Sequence, residues 1–190
     1  KAGTYIQNSP RALCVEKRRK NDIVLVPVGC TENHGMHANS GLDTFMVTQI
    51  CEAVRRYTAK QGHEVNLAFP PLNYGGHPYH HVGMPGTMML PQEVVLELVI
   101  HTMLGLWNDG YRKMILLNNH GHLWTLEDTI QEFMKRFSLP AIVQVLDWHR
   151  AVREFFAARG FLEVETPVRV AAPLPSFLSC ADSGTRVSPR

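Results

Sequence analysis

Apolar residues along this chain gather in short continuous runs that are separated by longer segments of mixed polarity. The short runs predict buried β-strands, which cover residues 23–29, 65–69, 113–118 and 141–146. The longer segments predict α-helices, which cover residues 43–60, 91–108 and 125–137. Strands that alternate with helices in this way indicate an α/β fold, here a three-layer αβα arrangement with helices on both faces of a mainly parallel sheet.

Two of the predicted helices have clear internal signals. In the 43–60 segment, Met46, Ile50 and Val54 recur at helical spacing. The 91–108 segment is largely apolar, begins at Pro91 and is followed by Gly110, and these residues favour the two ends of a helix in that order. The loop that precedes Pro91 is rich in Gly, His and Pro, and loops of this kind often carry function.

Polar residues follow the predicted strands at the points where these strands end. Glu32 comes after the first strand and His120 after the third, so both fall at the carboxyl edge of a parallel sheet, where α/β proteins bind ligands. The loop after the first strand also contains His34 and His37 and leads to Asp43. Carboxylates and imidazoles suit zinc, manganese or iron, so this pattern predicts a metal site.

Composition narrows the range of functions. The 190 residues suffice for one domain, and 19 basic residues against 17 acidic ones give a net charge of +2, which gives no reason to expect a nucleic acid partner. The run from Lys17 to Lys20 is interpreted as a solvated turn. Four scattered cysteines favour a cytoplasmic location, and no apolar run is long enough to predict membrane insertion. Because the chain begins at Lys1 rather than methionine, a preceding segment outside this sequence is compatible with these expectations.

Three motifs in the first two thirds of the chain resemble those of the creatininase family. Residues 27–35, Pro-Val-Gly-Cys-Thr-Glu-Asn-His-Gly, together with Asp43 resemble its P-V-G-S-x-E-Q-H-G…D signature. Residues 83–87, Gly-Met-Pro-Gly-Thr, resemble its F-P-G-T loop, and residues 118–121, Asn-Asn-His-Gly, resemble its N-x-H-G block. The chain is therefore identified as resembling a creatininase-type domain.

This resemblance implies a set of site residues. Glu32 and His120 would hold one metal ion and His34 the other, with Asp43 bridging both. His122 occupies the place where creatininases have a second acidic ligand, and whether its imidazole binds metal stays open. The remaining candidates contact substrate or orient ligands; these are His81, His37 and Trp148, and for Trp148 simple aromatic packing is the alternative.

The resemblance also implies an activity. In the family, Zn²⁺ or Mn²⁺, with iron also possible, activates a water that attacks the carbonyl of a small cyclic amide and cleaves its C–N bond. Some relatives instead open a cyclic ketone such as 3-dehydro-scyllo-inosose by cleaving a C–C bond. We therefore expect a hydrolase with a small-molecule substrate, and a homo-oligomer if the domain is complete.

The end of the chain departs from the family pattern. The late H-x-G-x-x-E-T-S block of the family is absent after Trp148, and residues 153–167 resemble motif 1 of class II lysyl-tRNA synthetases. We expect a truncated creatininase-like domain over residues 1–150 and an atypical extension over residues 151–190, of which the Pro-rich and Ser-rich end is poorly ordered. The alternatives are an ordinary amphipathic helix that resembles the synthetase by chance and a metal-binding fragment with impaired catalysis. Binding of tRNA or an elongation factor by the extension is disfavoured by its charge.

Overall fold

The computed structural model describes residues 3–76 and 81–160 of the chain. The helices and strands follow the alternation that the sequence predicts. They are α1 (Arg11–Lys20), β1 (Ile23–Val28), α2 (Leu42–Lys60), β2 (Asn66–Leu67), β3 (Gly75–Gly76), β4 (Met89–Leu90), α3 (Gln92–Asn108), β5 (Lys113–Asn118), α4 (Leu123–Phe137), β6 (Ile142–Asp147) and α5 (Trp148–Ala157), preceded by a 3-10 turn at Ile6–Asn8.

The main sheet has the strand order β2-β1-β5-β6, and all of its pairings are parallel. Val28 pairs with Asn118, and Asn118 pairs with Asp147, so three strands end side by side. The loops that follow these strands therefore begin in one row along the carboxyl edge of the sheet. A smaller parallel pair, β3 and β4, lies within the segment that the sequence predicts only as a loop.

Helices cover both faces of the main sheet. On one face, Val24 and Val26 of β1 share a core with Val99 of α3 and Phe133 of α4. On the other face, Leu25 belongs to a second core with residues that include Val47 and Cys51 of α2. Alternate residues of β1 thus enter different cores, as the period of two in a strand requires. The predicted three-layer αβα fold with a mainly parallel sheet is confirmed.

The interpretation of the Lys17 to Lys20 run as a turn is wrong, because these residues form the last turn of α1. The Lys17 ammonium donates to the Gly3 carbonyl at 2.6 Å, and Lys20 pairs with Glu16 one turn earlier at 2.6 Å. Basic side chains are favourable at the carboxyl end of a helix because they lie near its unpaired carbonyl groups. The run was misinterpreted because its charge was considered without the helix that precedes it.

Within residues 3–76 and 81–160, no helix combines the length and the apolar character that crossing a bilayer requires.

Candidate metal centre and substrate pocket

Close contact between the end of β1 and the start of α2 brings the first carboxylates together. Gly29 lies directly against α2, since a Cβ atom there would stand 2.4 Å from the Thr44 Cα atom. The Thr44 hydroxyl donates to the Cys30 carbonyl at 2.9 Å and fixes this approach. As a result Asp43, in the first turn of α2, lies only 8% exposed beside the loop that contains Glu32.

Two carboxylates and two imidazoles converge at this point. The Asp43 Oδ1 atom lies 3.3 Å from His34 Nε2, while its Oδ2 atom lies 3.1 Å from His120 Nδ1. The Glu32 Oε1 atom lies 3.5 Å from His34 Nε2 and 3.2 Å from His120 Nδ1. Within the described ranges, Glu32, Asp43 and His120 place donor atoms within 4.8 Å of one another. The structure thus brings together four of the residues that the sequence suggested as ligands.

Burial and three hydrogen-bonding neighbours together determine the pKa of His120. Burial disfavours a charge on its ring, but hydrogen bonds with Asp43, the Cys30 thiol and Glu32 outweigh burial and raise the pKa of His120 to about 11. The ring is therefore an imidazolium when no other cation is present. A divalent cation between the same side chains would satisfy the same negative charge and displace this proton.

Asparagine amides hold the His120 loop in place. The Asn118 Nδ2 atom donates to the His120 carbonyl at 2.5 Å and to Asp147 Oδ2 at 3.2 Å. The Asn119 Nδ2 atom donates to the Asp43 carbonyl at 3.0 Å. Both asparagines are buried, at 0% and 3% exposure, so these bonds are protected from water. Sequence reasoning used this block only as a family motif and assigned neither amide a task.

The residue 83–87 loop supports the metal-binding loop from outside. The Asn33 backbone N–H donates to the Thr87 hydroxyl at 2.9 Å, and its side-chain amide donates to the Pro85 carbonyl at 2.7 Å. Gly86 has a φ of +87°, and a Cβ atom there would stand 2.4 Å from the Ser40 hydroxyl oxygen. The motif therefore has a structural role, since it holds Asn33, which lies between Glu32 and His34.

His122 stands beside His120 in the interior. It is 3% exposed, and the two ring centroids lie 4.5 Å apart with the rings nearly perpendicular. A Cβ atom on Gly75 would stand 2.7 Å from His122 Nδ1 and 3.2 Å from Cys30 Sγ. This interior group of His122, Cys30 and Gly75 therefore packs behind the His120 ring.

The other histidine candidates, His37 and His81, have different neighbours among the described residues. His37 is exposed and its ring lies near Gly35, 3.4 Å from where a Cβ atom on that glycine would stand. His81 is half-buried, and its carbonyl accepts from the Met84 backbone N–H at 3.0 Å. Among the described residues that line the main pocket, neither histidine is present. Their predicted contacts with substrate are therefore untested.

A pocket of about 560 Å³ opens over the candidate metal-binding residues. Its described lining combines the centre with the end of β6 and with α5: Glu32, Asp43, Asn119, His120, Gly121, Asp147, Trp148, His149, Val152 and Arg153. Trp148 both lines this pocket and packs against the second core, so the two readings of its role are compatible. Asp147, His149, Val152 and Arg153 are not among the site residues that the sequence suggested. The fourth strand was the available signal, since its carboxyl end had to lie at the same edge of the sheet.

Comparisons with known proteins agree with the family resemblance that the motifs indicated. The family model described as creatininase, creatinine amidohydrolase, matches residues 12–168. The chain belongs to the creatininase family. A 3-dehydro-scyllo-inosose hydrolase of Thermotoga maritima is 39% identical over 157 residues, which cover 83% of this chain and 49% of that protein. A creatinine amidohydrolase of Pseudomonas putida is 28% identical over 110 residues, covering 52% of this chain and 37% of that protein.

Solved structures support the fold. A manganese form of creatininase superposes with a TM-score of 0.69 at 21% identity, covering 86% of this chain and 66% of that one. A zinc–zinc form of a creatininase variant is also among the similar structures. The chain spans about half the length of the first curated relative that it matches. The predicted family and fold are confirmed, and membership supports a hydrolase with a metal-binding group of residues.

The family match continues past residue 150. The division into residues 1–150 and an extension over 151–190 stays a prediction. The described part of that extension contains the end of α5, which is helical as both interpretations of the tail require. The strand expected after this helix, and the Pro-rich and Ser-rich end, lie outside the described residues.

Proposed function

We propose that this protein is a dinuclear metal-dependent hydrolase that uses water to open a small cyclic carbonyl compound. The observation that carries the proposal is the position of Asp43, whose two carboxylate oxygens face two different imidazoles. A carboxylate in this position can bridge two cations. Glu32 and His120 would hold one cation, His34 would hold the other, and His122 stays a candidate ligand behind His120.

The donor set fits the proposed metals. Imidazole nitrogen and carboxylate oxygen together suit Zn²⁺ and Mn²⁺, and iron is compatible with the same donors. The charge that raises the pKa of His120 would be balanced by a cation. When bound, two such cations lower the pKa of a water and stabilise the oxyanion that forms from a carbonyl.

Other side chains of this protein would hold the metal ligands and the substrate in position. Asn118 and Asn119 hold the His120 loop and the Asp43 backbone, so the donor atoms keep their spacing. Trp148 forms an apolar part of the pocket lining and would cover the substrate. We retain His81 and His37 as proposed substrate contacts, His37 from its exposed place on the metal-binding loop.

A cyclic ketone is the favoured substrate class. The inosose hydrolase matches 83% of this chain at 39% identity, whereas the creatinine amidohydrolase matches 52% at 28%. In either case water oxygen bonds to the carbonyl carbon, and the ring bond from that carbon breaks with its electron pair going to the neighbouring atom. A proton from the water ends on that atom, and the product carries a carboxylate. The neighbouring atom is carbon in a ketone and nitrogen in an amide.

A cyclic amide is the second candidate, and a metal-binding fragment without turnover is the third. The fragment is favoured by one observation, namely that the chain spans about half of the inosose hydrolase.

The sequence further predicts a homo-oligomer and a cytoplasmic location. Exposed apolar residues on α3, Val94 at 45% and Leu98 at 41%, support the former.

Metal analysis and a substrate screen test the proposal together. We expect two equivalents of Zn²⁺ or Mn²⁺ by inductively coupled plasma mass spectrometry, and carboxylate release from 3-dehydro-scyllo-inosose rather than from creatinine. Asp43→Ala should lose metal, whereas the control Asp128→Ala, which removes an exposed carboxylate of α4, should keep it. Two equivalents without turnover on either substrate would favour the fragment. Wild-type protein that binds no divalent metal would refute the proposal.

A further inference from the structure

The pocket has two sources of lining residues with different chemistry. Glu32, Asp43 and His120 belong to the metal centre, whereas the end of β6 and α5 contribute residues outside it. On α5, His149, Val152 and Arg153 are spaced three and four positions apart, which places them on one face of the helix. This helix therefore presents a mixed face of imidazole, apolar and guanidinium groups to the pocket.

Hydrogen bonds fix the start of α5 relative to the metal centre. The Asp147 Oδ1 atom accepts from the Arg150 backbone N–H at 3.2 Å and caps the helix. Its Oδ2 atom accepts from the Asn118 amide, which also donates to the His120 carbonyl. One buried amide thus connects the helix that lines the pocket to the loop that holds the metal ligand. The start of α5 therefore has a fixed position relative to His120.

The polar character of this lining selects among substrates. His149 and Arg153 line the pocket with side chains that can form hydrogen bonds beyond those that a carbonyl at the metal centre would use. A ring that carries hydroxyl groups can pair with them while its C–H face lies on Trp148. A small lactam presents fewer such groups and would therefore gain fewer hydrogen bonds from this face.

We propose that the pocket-lining face of α5 binds hydroxyl groups of the substrate, with Arg153 and His149 as specificity-determining residues for a polyhydroxylated cyclic ketone. The proposal rests on the function proposed above, and it assigns the selection of substrate to a different part of the chain from the metal chemistry. The pocket volume of about 560 Å³ accommodates a single substituted six-membered ring. Removal of the Arg153 guanidinium should therefore weaken binding without loss of metal.

Equilibrium binding tests this assignment independently of turnover. The full chain, loaded with Zn²⁺, is titrated by calorimetry with scyllo-inositol, a fully hydroxylated ring that has no carbonyl to hydrolyse, and in parallel with creatinine. We expect the wild-type protein to bind scyllo-inositol more tightly than creatinine. Arg153→Met should weaken scyllo-inositol binding about tenfold or more, the effect of losing a charged hydrogen bond. His149→Ala should weaken it in the same direction.

Arg150→Met is the matched control. Arg150 lies on the same helix, is exposed, and pairs with Glu154 at 2.9 Å rather than lining the pocket. It should bind scyllo-inositol like the wild type, and all variants should keep their metal content. On 3-dehydro-scyllo-inosose, Arg153→Met should raise KM with kcat retained.

Equal affinity of the Arg153→Met and Arg150→Met variants for scyllo-inositol would overturn the assignment. A wild-type protein that prefers creatinine, or binds both compounds equally, would overturn it too, and would leave the hydrolase proposal standing. Absence of metal from the wild-type protein would instead refute the proposed function. The two failures are thus distinguishable.

Discussion

Gly29→Ala changes the distance between the metal-binding loop and α2, because the added methyl group would meet backbone rather than a flexible side chain. Its Cβ would stand 2.4 Å from Thr44 Cα and 2.6 Å from the Thr44 backbone nitrogen. Carbon atoms in contact normally lie about 3.5–4.0 Å apart. The start of α2 must therefore retreat by roughly 1 Å, and Asp43 moves with it. Overpacking of this kind costs about 1–3 kcal/mol.

Thermal unfolding and metal titration measure the two consequences separately. For a chain of this size, a loss of about 1–3 kcal/mol lowers Tm by roughly 2–12 °C. Metal affinity should also fall, by about tenfold or more, because displaced ligands typically cost that much. Gly105→Ala is the control, since a Cβ at Gly105 in α3 meets nothing within 4 Å. It should leave metal affinity unchanged and raise stability by about 0.5–1 kcal/mol. If Gly29→Ala matched Gly105→Ala in both measurements, the close approach would not position Asp43.

Two further predictions concern Glu52 in α2 and Thr87 in the 83–87 loop. Burial disfavours a charged Glu52, but hydrogen bonds from Tyr5 and Arg55 outweigh burial and lower the pKa of Glu52 below 4.5. Its contribution to stability is therefore present above pH 4.5 and is lost as pH falls through the lowered pKa. Glu52→Gln should cost roughly 1–3 kcal/mol in urea unfolding at pH 7, and a cost that persists unchanged in acid would contradict this. Thr87→Val removes the acceptor of the Asn33 N–H; metal affinity should fall about tenfold in a competition titration with a chelating dye, and unchanged affinity would show that the 83–87 loop does not support the centre.

The sequence was sufficient to predict the three layers of the fold and the strand ends that lie side by side. Continuous apolar runs at residues 23–29 and 113–118 form β1 and β5. A short segment that is buried on both faces satisfies its backbone hydrogen bonds by pairing with neighbouring strands. The helix that ends at Lys20 was missed since its charged end was interpreted alone. The strand predicted over residues 65–69 is shorter in the structure, with β2 limited to Asn66–Leu67.

The centre was more predictable than the pocket. Glu32 and Asp43 are separated by a short loop, so local sequence already brings them near each other, and the motif order placed His120 at the same edge. The His149 and Arg153 side chains depend on the direction in which α5 leaves β6, which no local pattern encodes. Their place follows from the Asp147 cap and its bond with Asn118, and these are contacts between distant parts of the chain.

The side-by-side ends of β1, β5 and β6 have an evolutionary consequence. The first two strand ends carry the groups proposed to hold cations, and the third carries the groups proposed for recognition of substrate. Under that assignment, substitutions in α5, which directly follows β6, would change the compound that is recognised and leave the cation-binding groups unchanged. Such a separation would let one family include both an inosose hydrolase and a creatinine amidohydrolase.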